Sequence, residues 1–156
     1  MPKQFTDEEY ALLLPKKQVG TAIIFLNEKE EILLVKQDYR KEWLLPGGST
    51  DEDESQLQCA VRETKEEINL DIYEPKLVGI YYGKKKGFFT DSLKFIFFGG
   101  VLSNDQISII KLQQEELIEY KFATLNTAIP LLSLSLQKSI PACIEAIKNS
   151  TTVYLE

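Results

Sequence analysis

Apolar and polar positions along this chain follow two periods. Val19–Leu26 and Ile32–Gln37 are β-branched and apolar runs, and the polar stretch Asn27–Glu31 between them predicts a hairpin turn. Trp43-Leu44-Leu45 reads as a short third strand, ended by Pro46-Gly47-Gly48, which cannot continue a regular element. From about Glu54 to Ile68 the period becomes helical. Leu57, Ala60, Val61, Thr64 and Ile68 fall at helical spacing and predict one narrow inner stripe, with Asp51–Glu54 at the positive end of the helix. Strands are then expected over Leu77–Tyr82, Leu93–Leu102 and Leu117–Phe122, with a basic loop Lys84–Gly87 after the first of them. A helical tail over Leu125–Lys148 is expected to break near Pro130 and Pro141. Strands, helix, strands, helix is the order of an α/β layered domain with a mixed sheet.

Composition narrows what such a domain can do. The 156 residues are 44% hydrophobic, enough for one core, so residues 1–156 read as a single domain. The net charge of −6 argues against broad nucleic-acid or membrane binding. No histidine is present, which excludes Ser-His-Asp and Cys-His triads, imidazole-ligated zinc and any histidine base. Cys59 and Cys143 form no CxxC pair, which fits a reducing cytoplasm. The polar start Met1–Tyr10 lacks a signal-peptide core, and the longest apolar runs are too short to span a membrane. Chemistry must therefore rest on carboxylates, lysines, hydroxyls or an oxygen-held metal.

The carboxylates concentrate in one place. Between Asp51 and Glu67 lie seven acidic residues, opposed only by Arg62 and Lys65. Glu63, Glu66 and Glu67 are spaced i, i+3, i+4 and share a helix face. Like charges so placed cost a helix roughly 0.2–0.5 kcal/mol per pair. A hard cation such as Mg²⁺ or Mn²⁺ would turn that repulsion into coordination, whereas a plain solvated acidic face would simply bear it.

The run GSTDEDESQLQCAVRETKEEINL from Gly48 resembles the signature box of the Nudix hydrolase family, matching it at Gly48, Glu54, Arg62, Glu63, Glu66, Glu67 and Leu70. Two positions depart from the pattern. Thr64 stands where an aliphatic residue is usual, and Asn69 replaces the glycine that ends the helix, a left-handed position that asparagine tolerates best among the others.

The resemblance implies a Nudix-type α/β/α sandwich and a Mg²⁺- or Mn²⁺-dependent hydrolase. Its substrate would be a small nucleotide: a nucleoside diphosphate derivative or a nucleoside triphosphate, cleaved between phosphates. It further implies that Glu63, Glu66 and Glu67 ligate metal with the Gly47 carbonyl. Arg62 would orient the carboxylates, and Glu54 would bind metal through water or buttress Arg62. A base from a later loop would come from Glu115, Glu116 or Glu119. A non-catalytic nucleotide-sugar sensor and an RNA 5′-end pyrophosphohydrolase are the alternatives, and self-association into a homodimer stays open. Candidate substrate contacts outside the box are Lys36 and Arg40, for phosphate, and the hairpin carrying Tyr82, Lys85 and Phe88. That hairpin pairs aromatic faces with positive charge and is expected to border the nucleoside pocket. Tyr39, Trp43, Tyr81 and Phe89 share that aromatic character.

Overall fold

Five consecutive residues of the first strand, Thr21–Phe25, are buried, because this strand is covered on both faces. The computed structural model describes residues 5–84 and 86–156. Strands β1 (Gln18–Asn27), β2 (Ile32–Lys36), β3 (Lys76–Gly83), β4 (Ser92–Leu102), β5 (Glu119–Ala123) and β6 (Val153–Leu155) form one sheet in the order β5-β2-β1-β4-β3-β6. β1 runs parallel to β4 and β3 parallel to β6, and the other pairs are antiparallel, so the sheet is mixed. Helices are α1 (Asp7–Leu13), α2 (Gln56–Ile68), α3 (Asn104–Ser108), α4 (Leu125–Ala128) and α5 (Leu134–Asn149).

Alternation along the strands separates two cores. Ile23, Phe25, Leu33, Val35 and Phe97 pack with Ala60 and Ile68 of α2 on one face. Ala22, Ile24, Leu34 and Ile96 pack with Ile140, Cys143 and Ala146 of α5 on the other. The result is an α/β/α sandwich: the element order implied a layered α/β domain with a mixed sheet, and the family resemblance implied the sandwich.

The hairpin pairs only near its turn, at Leu26 with Ile32. Farther along, residues 44–50 wedge between the two strands. The N–H groups of Ile23 and Thr21 donate to the carbonyls of Pro46 and Gly48, both at 2.8 Å, and Val35 and Leu44 exchange hydrogen bonds at 2.9 Å. Trp43–Leu45 is therefore no full strand; it makes only isolated bridges to Val35 and Leu132 before Pro46 ends the pairing.

Four other expectations need correction. Helix α2 starts at Gln56, capped by Ser55, so Asp51–Glu54 precede it and leave its first turn without acid. Its inner face is Cys59, Ala60, Thr64, Glu67 and Ile68, while Leu57 and Val61 are 46% and 38% exposed. The helix is rotated toward its polar side because Thr64 and Glu67 find buried partners: the Thr64 hydroxyl donates to Ala60 O at 2.8 Å. Helix α5 runs through Pro141, losing one backbone bond while its buried stripe holds it to the sheet. Pro130 does interrupt the tail, inside the single 3₁₀ turn Ile129–Leu131. Finally, α1, α3 and β6 were not expected. The two helices carry capping boxes, Thr6 with Glu9 and Ser103 with Gln106, that the sequence displays.

Asn69 closes α2 at φ 59°, ψ 30°, the left-handed backbone expected for the substituted glycine. Asn69→Gly is expected to raise stability by about 0.5 kcal/mol, the gain from a residue without a Cβ there, and to leave turnover unchanged. Paired denaturation curves and initial rates check this; a loss of stability would show that the Asn69 side chain contributes more than its backbone.

Candidate active site

The wedge of residues 44–50 brings two glycines against α2. Gly47 has φ 138°, and a Cβ there would collide with Thr21 O. Its free N–H donates to Glu67 Oε2 at 2.7 Å. Next to it, a Cβ on Gly48 would overlap the Glu63 carboxylate. Glu63 and Glu67, one turn apart, thus press their carboxylates onto a backbone that only glycine keeps open.

Arg62 gathers the remaining acids. Its Nε and Nη2 donate to Glu54 Oε1 and Oε2 at 2.8 and 2.9 Å, a bidentate fork. Its Nη1 donates to both Glu63 Oε1 and Glu66 Oε2 at 3.0 Å, and Nη2 also reaches Ser49 O at 3.2 Å. The Arg62 fork, with the Asp51 N–H, holds the Glu54 carboxyl down to about 2. Burial pushes Glu63 up, with Arg62 opposing it. Glu67 is 3% exposed, and burial raises it to about 8, with the negative charges of Glu63, Glu116 and Glu66 adding to the rise and the Gly47 N–H opposing it.

The donor set suits a hard divalent cation: every candidate ligand is a carboxylate or carbonyl oxygen, and the cluster holds more negative charge than Arg62 offsets. Among the described residues no three acidic side chains already converge as a finished metal nest. In its place Arg62 is the cation shared by Glu63 and Glu66.

A cleft of about 590 Å³ opens from this cluster. Glu116 faces the acids from the loop after α3. That loop is tied to the end of α2 by Lys111 N–H to Ile68 O (3.2 Å) and Gln113 N–H to Glu67 O (3.0 Å). Of the three later glutamates only Glu116 lines the cleft. Arg40 also lines it, with its guanidinium 5.9 Å from the exposed Tyr39 ring.

The other sequence candidates lie elsewhere. Lys36 Nζ donates to the carbonyls of Arg40 and Lys41 at 2.5 and 2.6 Å, so it straps the loop that presents Arg40 and does not itself line the cleft. Tyr82 sits under Lys17, 5.4 Å from its ring centroid, and hydrogen-bonds Asp91. Phe88 is wholly exposed at the hairpin tip, and Lys85 lies outside the described residues. Trp43 is buried beneath the Lys121 ammonium at 4.0 Å. Among the described residues no aromatic side chain lines the cleft; the β3–β4 hairpin borders it through Ser92, Leu93 and Lys94 rather than through Tyr82 or Phe88. Sequence reasoning missed Lys94, whose signal was plain: it is the only charged residue in the apolar run Ser92–Leu102.

A family model described as the NUDIX domain matches residues 16–143. A protein of Bacillus subtilis named "Putative 8-oxo-dGTP diphosphatase" is 39% identical over 82 residues, covering 53% of this chain and 52% of that protein. The chain thus spans about half of that relative, and 26% of a second, the Arabidopsis thaliana protein "Nudix hydrolase 8". Among solved structures, an ADP-ribose pyrophosphatase of Streptococcus suis superposes with a TM-score of 0.70 at 23% identity, covering 90% of this chain and all of that one. These likenesses, with the fold and the placement of the box, bear on one family.

Proposed function

Because this chain belongs to the Nudix family, we propose that it is a Mg²⁺- or Mn²⁺-dependent hydrolase that cleaves the diphosphate linkage of a small nucleotide derivative in the cytoplasm. The observation that carries this reading is the gathering of Glu63, Glu66 and Glu67 around Arg62 and the Gly47-Gly48 backbone at one end of an open cleft. Glu63, Glu66, Glu67 and the Gly47 carbonyl would hold the metal. When bound, it supplies charge neutralisation for the diphosphate oxygens and acidifies water.

The chain's own residues do the rest. Glu54 fixes the Arg62 plane through two hydrogen bonds, and Arg62 in turn holds Glu63 and Glu66 in register. The Gly47 N–H orients the Glu67 carboxylate. Glu116 is exposed on the cleft wall opposite, and in the absence of histidine it is our candidate to accept the proton of the attacking water. Cys59 and Cys143 are free buried thiols, in keeping with a reducing compartment.

The experiment is a panel of 8-oxo-dGTP, ordinary nucleoside triphosphates, ADP-ribose, UDP-sugars and a 5′-triphosphorylated RNA, with products resolved chromatographically. The name of the Bacillus relative puts 8-oxo-dGTP in that panel. We expect cleavage between phosphates with Mg²⁺ or Mn²⁺, complete loss after chelation, and recovery on adding metal back. No hydrolysis across the panel, or undiminished activity after exhaustive chelation, overturns the proposal.

A further inference from the structure

The cleft carries two cations, outside the acidic cluster, that the box does not explain. Lys94 of β4 and the Arg40 guanidinium both line it. Among the described residues neither forms an ion pair, and the Lys94 ammonium has no hydrogen-bond partner. Burial, reinforced by the neighbouring Arg40 charge, pushes the Lys94 ammonium below its ordinary value. Two like charges therefore face one cleft, Lys94 half-buried and Arg40 exposed, with no ion-pair partner for either among the described residues. An anion between them would reverse the sign of that interaction. A planar base held by stacking is the weaker match, because the cleft walls nearby are aliphatic, at Leu44, Leu93 and Leu136.

The spacing fits one molecule reaching from Lys94 to the loop beside Glu63. Lys94 lies opposite Gly20 across the β1–β4 pair, and Gly20 lies opposite Ser49, in the loop that seats Glu63. Two inter-strand spacings are about 10 Å, comparable to the span of one nucleoside phosphate. We infer that Lys94 and Arg40 form a second anion subsite, which selects nucleotides bearing a further phosphate ester on the ribose, remote from the scissile diphosphate. The inference rests on the reading of this cleft as that of a diphosphate hydrolase.

The test uses product-like probes and no turnover. Calorimetry on the full chain, in chelator, compares adenosine 5′-monophosphate with adenosine 2′,5′- and 3′,5′-bisphosphate. At least one bisphosphate is expected to bind about tenfold tighter or more, the worth of one charge-assisted contact pair. Lys94→Met and Arg40→Met should each shrink that ratio toward one. Lys94→Met should fold with an unchanged or higher Tm, since it removes a charge that has no ion-pair partner among the described residues and lies near that of Arg40. If it fails to fold, Arg40→Met carries the test, because Arg40 is exposed. Equal affinity for mono- and bisphosphates, or a ratio unmoved in both variants, overturns the inference. Tight bisphosphate binding by a protein inactive on the whole nucleotide panel would sink the hydrolase reading and leave the subsite standing; hydrolysis without the ratio does the reverse.

Discussion

Glu67→Gln is expected to lose about 10³-fold in turnover while the metal-free protein becomes more stable at pH 8. Outer partners of metal ligands are worth about 10–100-fold, and a direct ligand should exceed that. The stability gain has a separate origin. Burial lifts the Glu67 carboxyl in the folded chain from its ordinary 4.5 to about 8. Once the pH passes 4.5, the unfolded chain gives up a proton that the folded one still holds, so this group progressively destabilises the fold up to pH 8. At about 1.4 kcal/mol per pH unit the loss is of order a few kcal/mol. Glutamine cannot ionise, and its carbonyl still accepts the Gly47 N–H. Melting curves in chelator should therefore separate variant from wild type most widely near pH 8, converging as the pH falls toward 4.5. A variant with wild-type turnover would mean that the cluster is only an acidic face. Parallel curves at all pH values would mean that Glu67 ionises freely in the fold.

The second large effect comes from a methyl group. A Cβ on Gly48 would occupy the space of the Glu63 carboxylate, whereas the backbone there is not in the left-handed region. Gly48→Ala should therefore fold and displace Glu63, and misplacement by about 1 Å costs on the order of 10²-fold in rate. Because the damage passes through Glu63, adding Gly48→Ala to Glu63→Ala should cost nothing further, which a double-mutant cycle reads directly. Full additivity, or wild-type turnover in Gly48→Ala, would dissociate the glycine from the carboxylate. Gly47→Ala is no substitute for this test: its φ of 138° and the adjacent Thr21 carbonyl make the backbone itself the casualty.

What was legible in the sequence was local. β-branched and apolar runs set β1, β2 and β4, helical spacing set α2, and the left-handed end at Asn69 followed from the residue types that tolerate it. The seven box positions pointed to Glu54, Arg62, Glu63, Glu66 and Glu67 because their spacing is fixed within one loop and helix. Hydrophobic spacing alone misjudged the rotation of α2. It placed Ala60, Thr64 and Ile68 inward, as they are, with the Thr64 hydroxyl on the Ala60 carbonyl. But it also placed Leu57 and Val61 there, whereas the helix exposes them and buries Glu67, whose carboxylate accepts from the Gly47 N–H. Likewise Trp43–Leu45 looked like a strand in isolation, yet it belongs to a wedge that splits the hairpin.

Pairings between distant segments decided the remainder. Lys36 and Arg40 were both candidate phosphate contacts, the scarcer arginine the stronger one; in the fold the Lys36 ammonium satisfies two loop carbonyls, whereas Arg40 lines the cleft together with Lys94. Tyr82 and Phe88 had the right chemistry for a base, but neither ring lines the cleft, which the β3–β4 hairpin borders through Ser92, Leu93 and Lys94. Lys94 and Glu116 entered it from elements 27 and 49 residues beyond the last box glutamate, Glu67. By itself the sequence determined which side chains can bear charge, which backbone can turn left-handed, and which residues one helix presents together. Only the tertiary structure decided which charges go unpaired and which cavity they share, because desolvation and partner satisfaction depend on atoms brought together from across the chain.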